Sequence, residues 1–126
     1  MRGSCLCGNI SYEISGPLRP VVACHCTQCR KASGHYVAAT QALQADIAIS
    51  GEPAWYKSSE NAERGFCPTC GSNLFWRRFG SEYISIHAGA LDGPTGLKME
   101  SQLYCEDAGD YYSVPDLPCI DQLVLV

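Results

Sequence analysis

The chain has 126 residues, 46% of them hydrophobic and 17% charged, with a net charge of −4 and a pI near 5.2. This is one domain's worth of chain, residues 1–126, enough for one modest core. The acidic balance argues against a nucleic-acid binder, and no apolar run is long enough to span a membrane.

Nine cysteines is a high count for this length. A disulfide scaffold, a metal protein and incidental core thiols all compete as readings. The start, Met1-Arg2-Gly3-Ser4-Cys5, lacks the apolar core of a secretory leader. With an odd thiol count and two C-x-x-C knuckles, the balance favours metal in a reducing, cytoplasmic setting.

In chain order, Cys5-Leu6-Cys7 places two thiols on one face if its backbone is extended, and Gly8 permits a tight metal turn. Ile10, Tyr12 and Ile14 alternate with Asn9, Ser11 and Glu13, the pattern of a strand with one buried face, which Gly16-Pro17 ends. Val21-Val22-Ala23 reads as a short strand delivering Cys24. Cys26-Thr27-Gln28-Cys29 is a knuckle, Arg30 to Ser33 one helical turn, and Gly34 its stop.

Residues 36–40 read as a strand. The stretch 41–48 fits a short helix or a strand, and the alternation at Ile47 and Ile49 favours the strand. Trp55-Tyr56 begins another extended piece, and Cys67-Pro68-Thr69-Cys70-Gly71 is a second knuckle of the zinc-ribbon kind, followed by a strand at 74–76. A strand is expected over 83–87 and shorter ones around 103–104 and 111–112, while 123–126 fits a last strand or a dimer contact. No segment sustains a helical period, so the fold class is mainly β, of antiparallel sheets with metal-binding turns and little helix.

The thiols admit two groupings. Cys26, Cys29, Cys67 and Cys70 would make one four-cysteine ribbon and strand the other three. Alternatively Cys5 and Cys7 join Cys67 and Cys70, leaving Cys24, Cys26 and Cys29 as a compact triple. The second grouping uses every motif cysteine. A structural zinc site is closed by four ligands, whereas a catalytic one has three and an open position, so the triple is the more informative cluster.

Residues 3–13 (Gly-Ser-Cys-Leu-Cys-Gly-Asn-Ile-Ser-Tyr-Glu), the block Cys24 to Gly34, the block Phe66 to Phe75, and Ala88-Gly89-Ala90-Leu91-Asp92 together resemble the glutathione-dependent formaldehyde-activating enzyme family, which includes the centromere protein V group. The blocks occur in the family's order. The resemblance implies a β-tent fold with two zinc ions per chain. It gives Cys5, Cys7, Cys67 and Cys70 to a structural zinc and Cys24, Cys26 and Cys29 to a catalytic zinc. The family's tail usually carries a His and then a Trp before an Asp-x-Leu-Pro ending; here Asp116-Leu117-Pro118 is kept, and Tyr104 with Tyr111 or Tyr112 takes the other places.

The implied activity is a carbon–sulfur lyase step on a small-thiol and aldehyde adduct such as S-hydroxymethylglutathione, in a monomer or homodimer. Two readings stand beside it: a lyase using a thiol other than glutathione, and a non-catalytic zinc module for a protein partner. Arg30 and Lys31 are candidate anchors for a substrate carboxylate, with offsetting of thiolate charge as the alternative, and Ser33 and Gly34 are candidates to line the open site. His25, between two ligands, fits a buried hydrogen-bonding role better than a catalytic one. His35 and His87 default to surface or satisfied core positions. Cys105 and Cys119 match no ligand position and read as ordinary thiols.

Overall fold

The computed structural model of the chain describes residues 1–121. The expectation for 123–126 lies outside them. Ten strands run in order: β1 (Arg2–Ser4), β2 (Ser11–Ile14), β3 (Val21–Cys24), β4 (Val37–Leu43), β5 (Ile47–Ser50), β6 (Ala54–Lys57), β7 (Ala62–Phe66), β8 (Asn73–Arg78), β9 (Tyr83–His87) and β10 (Met99–Leu103). The one α-helix among the described residues, α1 (Thr27–Ser33), sits between β3 and β4. A small sheet has the order β1-β2-β5 and a large one the order β10-β3-β4-β9-β8-β7-β6. The mainly-β fold class holds.

The sheets form a core between them because each carries one apolar face. Ile10, Tyr12 and Ile14 of the small sheet are buried, as the alternation requires. They meet Ala42, Phe75, Ile84 and Ile86 of the large sheet, with the Tyr12 and Phe75 rings edge-on at 5.2 Å. Gly65 on β7 leaves room for the indole of Trp55, which a Cβ there would meet at 2.8 Å. Arg77 covers the same indole at 3.7 Å and is held by Glu63 at 2.7 Å.

The other face of the large sheet decides where function can sit. Pairing places Ala39 opposite His87, Gln41 opposite Ser85, Trp76 opposite Ser85, and Arg64 opposite Trp76. These alternate with the core residues, so by the period of two they all emerge on the side away from the small sheet. Apart from Trp76, that face carries small and polar side chains at these positions, where the core face carries Ile and Phe.

The structure departs from the sequence reading in several places. The sheets are not purely antiparallel: β10 runs parallel to β3. Residues 111–112 form a turn rather than a strand, because their rings pack on each other and on His25 instead of entering a ladder. Cys5 and Cys7 lie in a turn, closed by Gly8 N–H donating to the Cys5 carbonyl at 3.2 Å, not in extended backbone. Residues 41–48 resolve into the end of β4, a 3₁₀ turn and β5. Cys105 and Cys119 are not ordinary thiols. A disulfide joins them, because β10 carries Gln102 beside Cys119 in a parallel bridge and brings the two sulfurs together.

Candidate functional site

The first thiol cluster joins the two ends of the sequence pattern. The turn 5–8 faces the turn 67–71, and the Sγ atoms of Cys5, Cys7, Cys67 and Cys70 all lie within 4.8 Å of one another. Each turn presents backbone N–H groups to sulfur: Ile10 N donates to Cys5 Sγ at 3.3 Å and Cys70 N to Cys67 Sγ at 3.5 Å. Side chains tie the turns across the chain, with Leu6 N donating to Ser72 Oγ at 2.9 Å and Asn9 Nδ2 to Thr69 Oγ1 at 3.3 Å. The Ser72 hydroxyl at 3.3 Å from Cys70 Sγ helps hold that thiol at about 5. Cys67 is wholly buried.

The second cluster is local. Cys24 ends β3, Cys26 caps helix α1, and Cys29 sits in its first turn, so one strand-to-helix corner brings all three Sγ atoms within 4.8 Å. The knuckle geometry comes from the cap: Cys29 N donates to Cys26 Sγ at 3.4 Å. The helix begins at Thr27, earlier than the turn expected at Arg30, and ends at Gly34 with φ of 82°, a left-handed position that glycine takes without a Cβ penalty. The sulfurs share charge unequally. Cys26 is held low by hydrogen bonds from Cys24 and Cys29, with Arg64 adding positive charge, while Cys24 is pushed up by donating to its two neighbours and by burial.

The donor set of each cluster fits a metal. Four thiolates in mutual reach suit a tetrahedral ion, and three suit an ion with one position left over; soft sulfur ligands select zinc over hard cations. All seven thiols are free of disulfides. The ribbon grouping of Cys26 and Cys29 with Cys67 and Cys70 is excluded, because the two knuckles belong to separate clusters.

Among the described residues, the second cluster opens on a cavity. A cleft of about 470 Å³ lies on the small-and-polar face of the large sheet and has Cys24, Cys26 and Cys29 in its wall. Arg64 reaches in from β7, donating to Gln28 Oε1 at 3.3 Å and approaching Cys29 Sγ at 3.7 Å. Arg19 flanks the cleft beside β4, held by the Ala39 carbonyl at 3.1 Å. Neither guanidinium has a carboxylate partner among the described residues. His87 lies in the same wall, and burial together with the charge of Arg64 lowers it to about 4, so it stays uncharged at neutral pH.

The residues singled out from sequence divide accordingly. The seven ligand candidates fall into the two clusters. Arg30, Lys31, Ser33 and Gly34 lie on helix α1 and its cap, and none is among the residues that line the cleft. Lys31 is exposed, and the Ser33 hydroxyl lies within hydrogen-bond distance of the Cys29 and His35 carbonyls, at 2.8 and 2.7 Å. His25 is fully buried and hydrogen-bonded, as expected. Arg64, Arg19 and His87 are cleft residues that local pattern missed. The signal for His87 was present: in 83–87 it shares the face of Ser85, opposite Ile84 and Ile86.

Residues 1–107 match the family model of the glutathione-dependent formaldehyde-activating enzyme. The chain belongs to that family. It is also 28% identical over 112 residues to an uncharacterized lyase of Schizosaccharomyces pombe, spanning 87% of this chain and 82% of that protein. A Rhodobacter sphaeroides protein of known crystal structure shares the fold, with a TM-score of 0.63 and 22% identity over 95% of this chain and all of that one.

Proposed function

We propose that the protein is a zinc-dependent carbon–sulfur lyase acting on the adduct of a small thiol with an aldehyde, of which S-hydroxymethylglutathione is one example. One observation carries this reading: the three-thiol cluster, and not the four-thiol one, forms part of the wall of the large cleft. Cys24, Cys26 and Cys29 would hold the ion, which with three protein ligands would supply Lewis acidity that favours the thiolate form of a substrate sulfur, the form in which sulfur leaves carbon and adds to it.

The reaction balances without a further reactant. In the adduct R–S–CH₂–OH the carbon–sulfur bond breaks, the hydroxyl oxygen becomes the carbonyl of formaldehyde, and the hydroxyl proton ends on sulfur. The chain's own residues bind and orient. Arg64 stands beside Cys29 with N–H groups free of any carboxylate, and Arg19 flanks the cleft from β4, so the wall favours a thiol that carries a carboxylate. This takes over the anchoring role expected of Arg30 and Lys31. The uncharged His87, with Gln41 and Ser85, supplies hydrogen-bonding groups between the arginines. Tyr104, which stands where the family usually has a different residue, also lines the cleft, so the thiol is assigned by class and not by name.

The test is the rate at which formaldehyde exchanges between its free and thiol-bound forms, followed by NMR with zinc-loaded protein. Glutathione and other carboxylate-bearing thiols should exchange faster than in buffer, and a neutral thiol such as 2-mercaptoethanol much less so. Arg64→Gln should raise KM for the acidic thiols about ten- to hundredfold and leave the neutral one unchanged, as expected for a lost charge-assisted hydrogen bond. No acceleration with any thiol would reject the lyase reading.

A further inference from the structure

The family match ends at residue 107, and within the described stretch beyond it Tyr111 and Tyr112 bond to the segment that carries the three-thiol corner. The contacts are specific. Gln102 on β10, itself 1% exposed, donates through Nε2 to the carbonyls of Pro115 and Leu117, both at 2.8 Å. Its Oε1 is therefore the atom facing His25 Nε2 at 2.8 Å, and that ring nitrogen carries the proton. The other ring nitrogen, Nδ1, is bonded to the Tyr112 hydroxyl at 2.7 Å. His25 has no exposed surface and lies between Cys24 and Cys26 in the chain, so these two bonds fix the loop that carries both sulfurs.

The neighbouring tyrosine grips the other end. Tyr111 donates its hydroxyl to the Gly34 carbonyl at 3.1 Å, at the cap of α1. The segment thus holds both ends of 24–34. Its own ends are joined by the Cys105–Cys119 disulfide. Tyr104, immediately before Cys105, is the only non-glycine with positive φ among the described residues, at 55°, and both Tyr104 and Asp107 line the cleft. A left-handed tyrosine persists only where its surroundings enforce it.

We propose that 108–119 is a thiol-responsive clamp on the three-thiol loop, closed by the Cys105–Cys119 bond, with Tyr112 acting through His25 as its positioning residue. Cys119 is exposed and Cys105 half-buried, so an incoming thiolate attacks the Cys119 sulfur and Cys105 leaves as thiolate. A second thiol then attacks the mixed disulfide. In sum two RSH are oxidised to RSSR, the protein disulfide takes up two electrons, and two protons end on Cys105 and Cys119. The cleft's thiol substrate class is also the class of reductant that opens the clamp. The inference rests on Cys24, Cys26 and Cys29 acting as one site, and not on lyase turnover.

The experiment measures the alkylation rate of each cysteine by iodoacetamide, mapped by peptide mass, in the full chain. It compares wild-type protein before and after treatment with a monothiol and desalting, Tyr112→Phe, and the double variant Cys105→Ser/Cys119→Ser. Loss of such an outer hydrogen-bond partner should raise the rates at Cys24, Cys26 and Cys29 roughly tenfold, with Cys5, Cys7, Cys67 and Cys70 unchanged. Monothiol treatment should reproduce the effect in wild type and do nothing further to the double serine variant. Equal acceleration at all seven thiols would mean that the segment merely adds stability and would overturn the clamp. Unchanged rates in Tyr112→Phe would overturn the positioning role, and a response there without one in the double serine variant would overturn the disulfide's part. A protein without lyase activity that still shows the selective acceleration would reject the proposed reaction and keep the clamp.

Discussion

The two thiol clusters use the same donor atom and the same knuckle chemistry, and differ in how much chain each one joins. Cys5 and Cys7 are brought to Cys67 and Cys70 across 60 residues, so the first cluster pins the small sheet's leading turn to the turn before β8. Cys24, Cys26 and Cys29 come from one strand-to-helix corner and join nothing that the backbone has not already joined. The first is closed by four thiols and braced by Ser72 and Thr69; the second has three and faces a cleft. A metal site that closes a long loop contributes to folding, and one confined to a corner is free to contribute to binding.

Mutation separates the two. The largest effect is expected at Cys67, which is wholly buried in the long-range cluster. Cys67→Ser should remove most of the roughly 5–15 kcal/mol that keeps such a domain folded, visible as loss of the cooperative thermal transition. In Cys26→Ser the transition should persist, because the corner is also held by the β3 pairings and by His25. Should Cys26→Ser unfold the chain as completely as Cys67→Ser, the contrast between the clusters would be gone.

A smaller effect concerns the cleft wall. His87 sits near 4 in the folded chain against an ordinary 6.5, through burial and the charge of Arg64. The unfolded chain takes up the proton first as pH falls, so stability is lost between about 6.5 and 4. His87→Gln should flatten that part of the pH profile by at most about 3 kcal/mol, read from denaturant midpoints at each pH. An unchanged slope would place His87 in solvent and not in the wall of the cleft.

How much of this could be read from sequence follows the range of the interactions. The buried face of β2, the strand leading to Cys24, and Gly34 as the helix stop are local patterns and were legible. Ligand types were legible too, because C-x-C and C-x-x-C spacings are set by single turns. The parallel pairing of β10 with β3 was not, since nothing in Leu103 or Val21 specifies a partner some eighty residues away. The disulfide depended on that pairing and was missed with it, and so was the turn at 111–112, whose rings are ordered by His25. Arg64 and His87 meet in one wall only through the β7-β8-β9 register. The arginine beside Cys29 in space is therefore not Arg30, its neighbour in sequence.

The most direct test of a closed and an open site in one chain is the metal content of wild-type protein and Cys26→Ser, purified without chelators and measured by elemental analysis against protein concentration. Two zinc ions per chain in wild type and one in a still-folded Cys26→Ser are predicted. One ion in both, with the second not restored by added zinc in the presence of thiol, would contradict the open site.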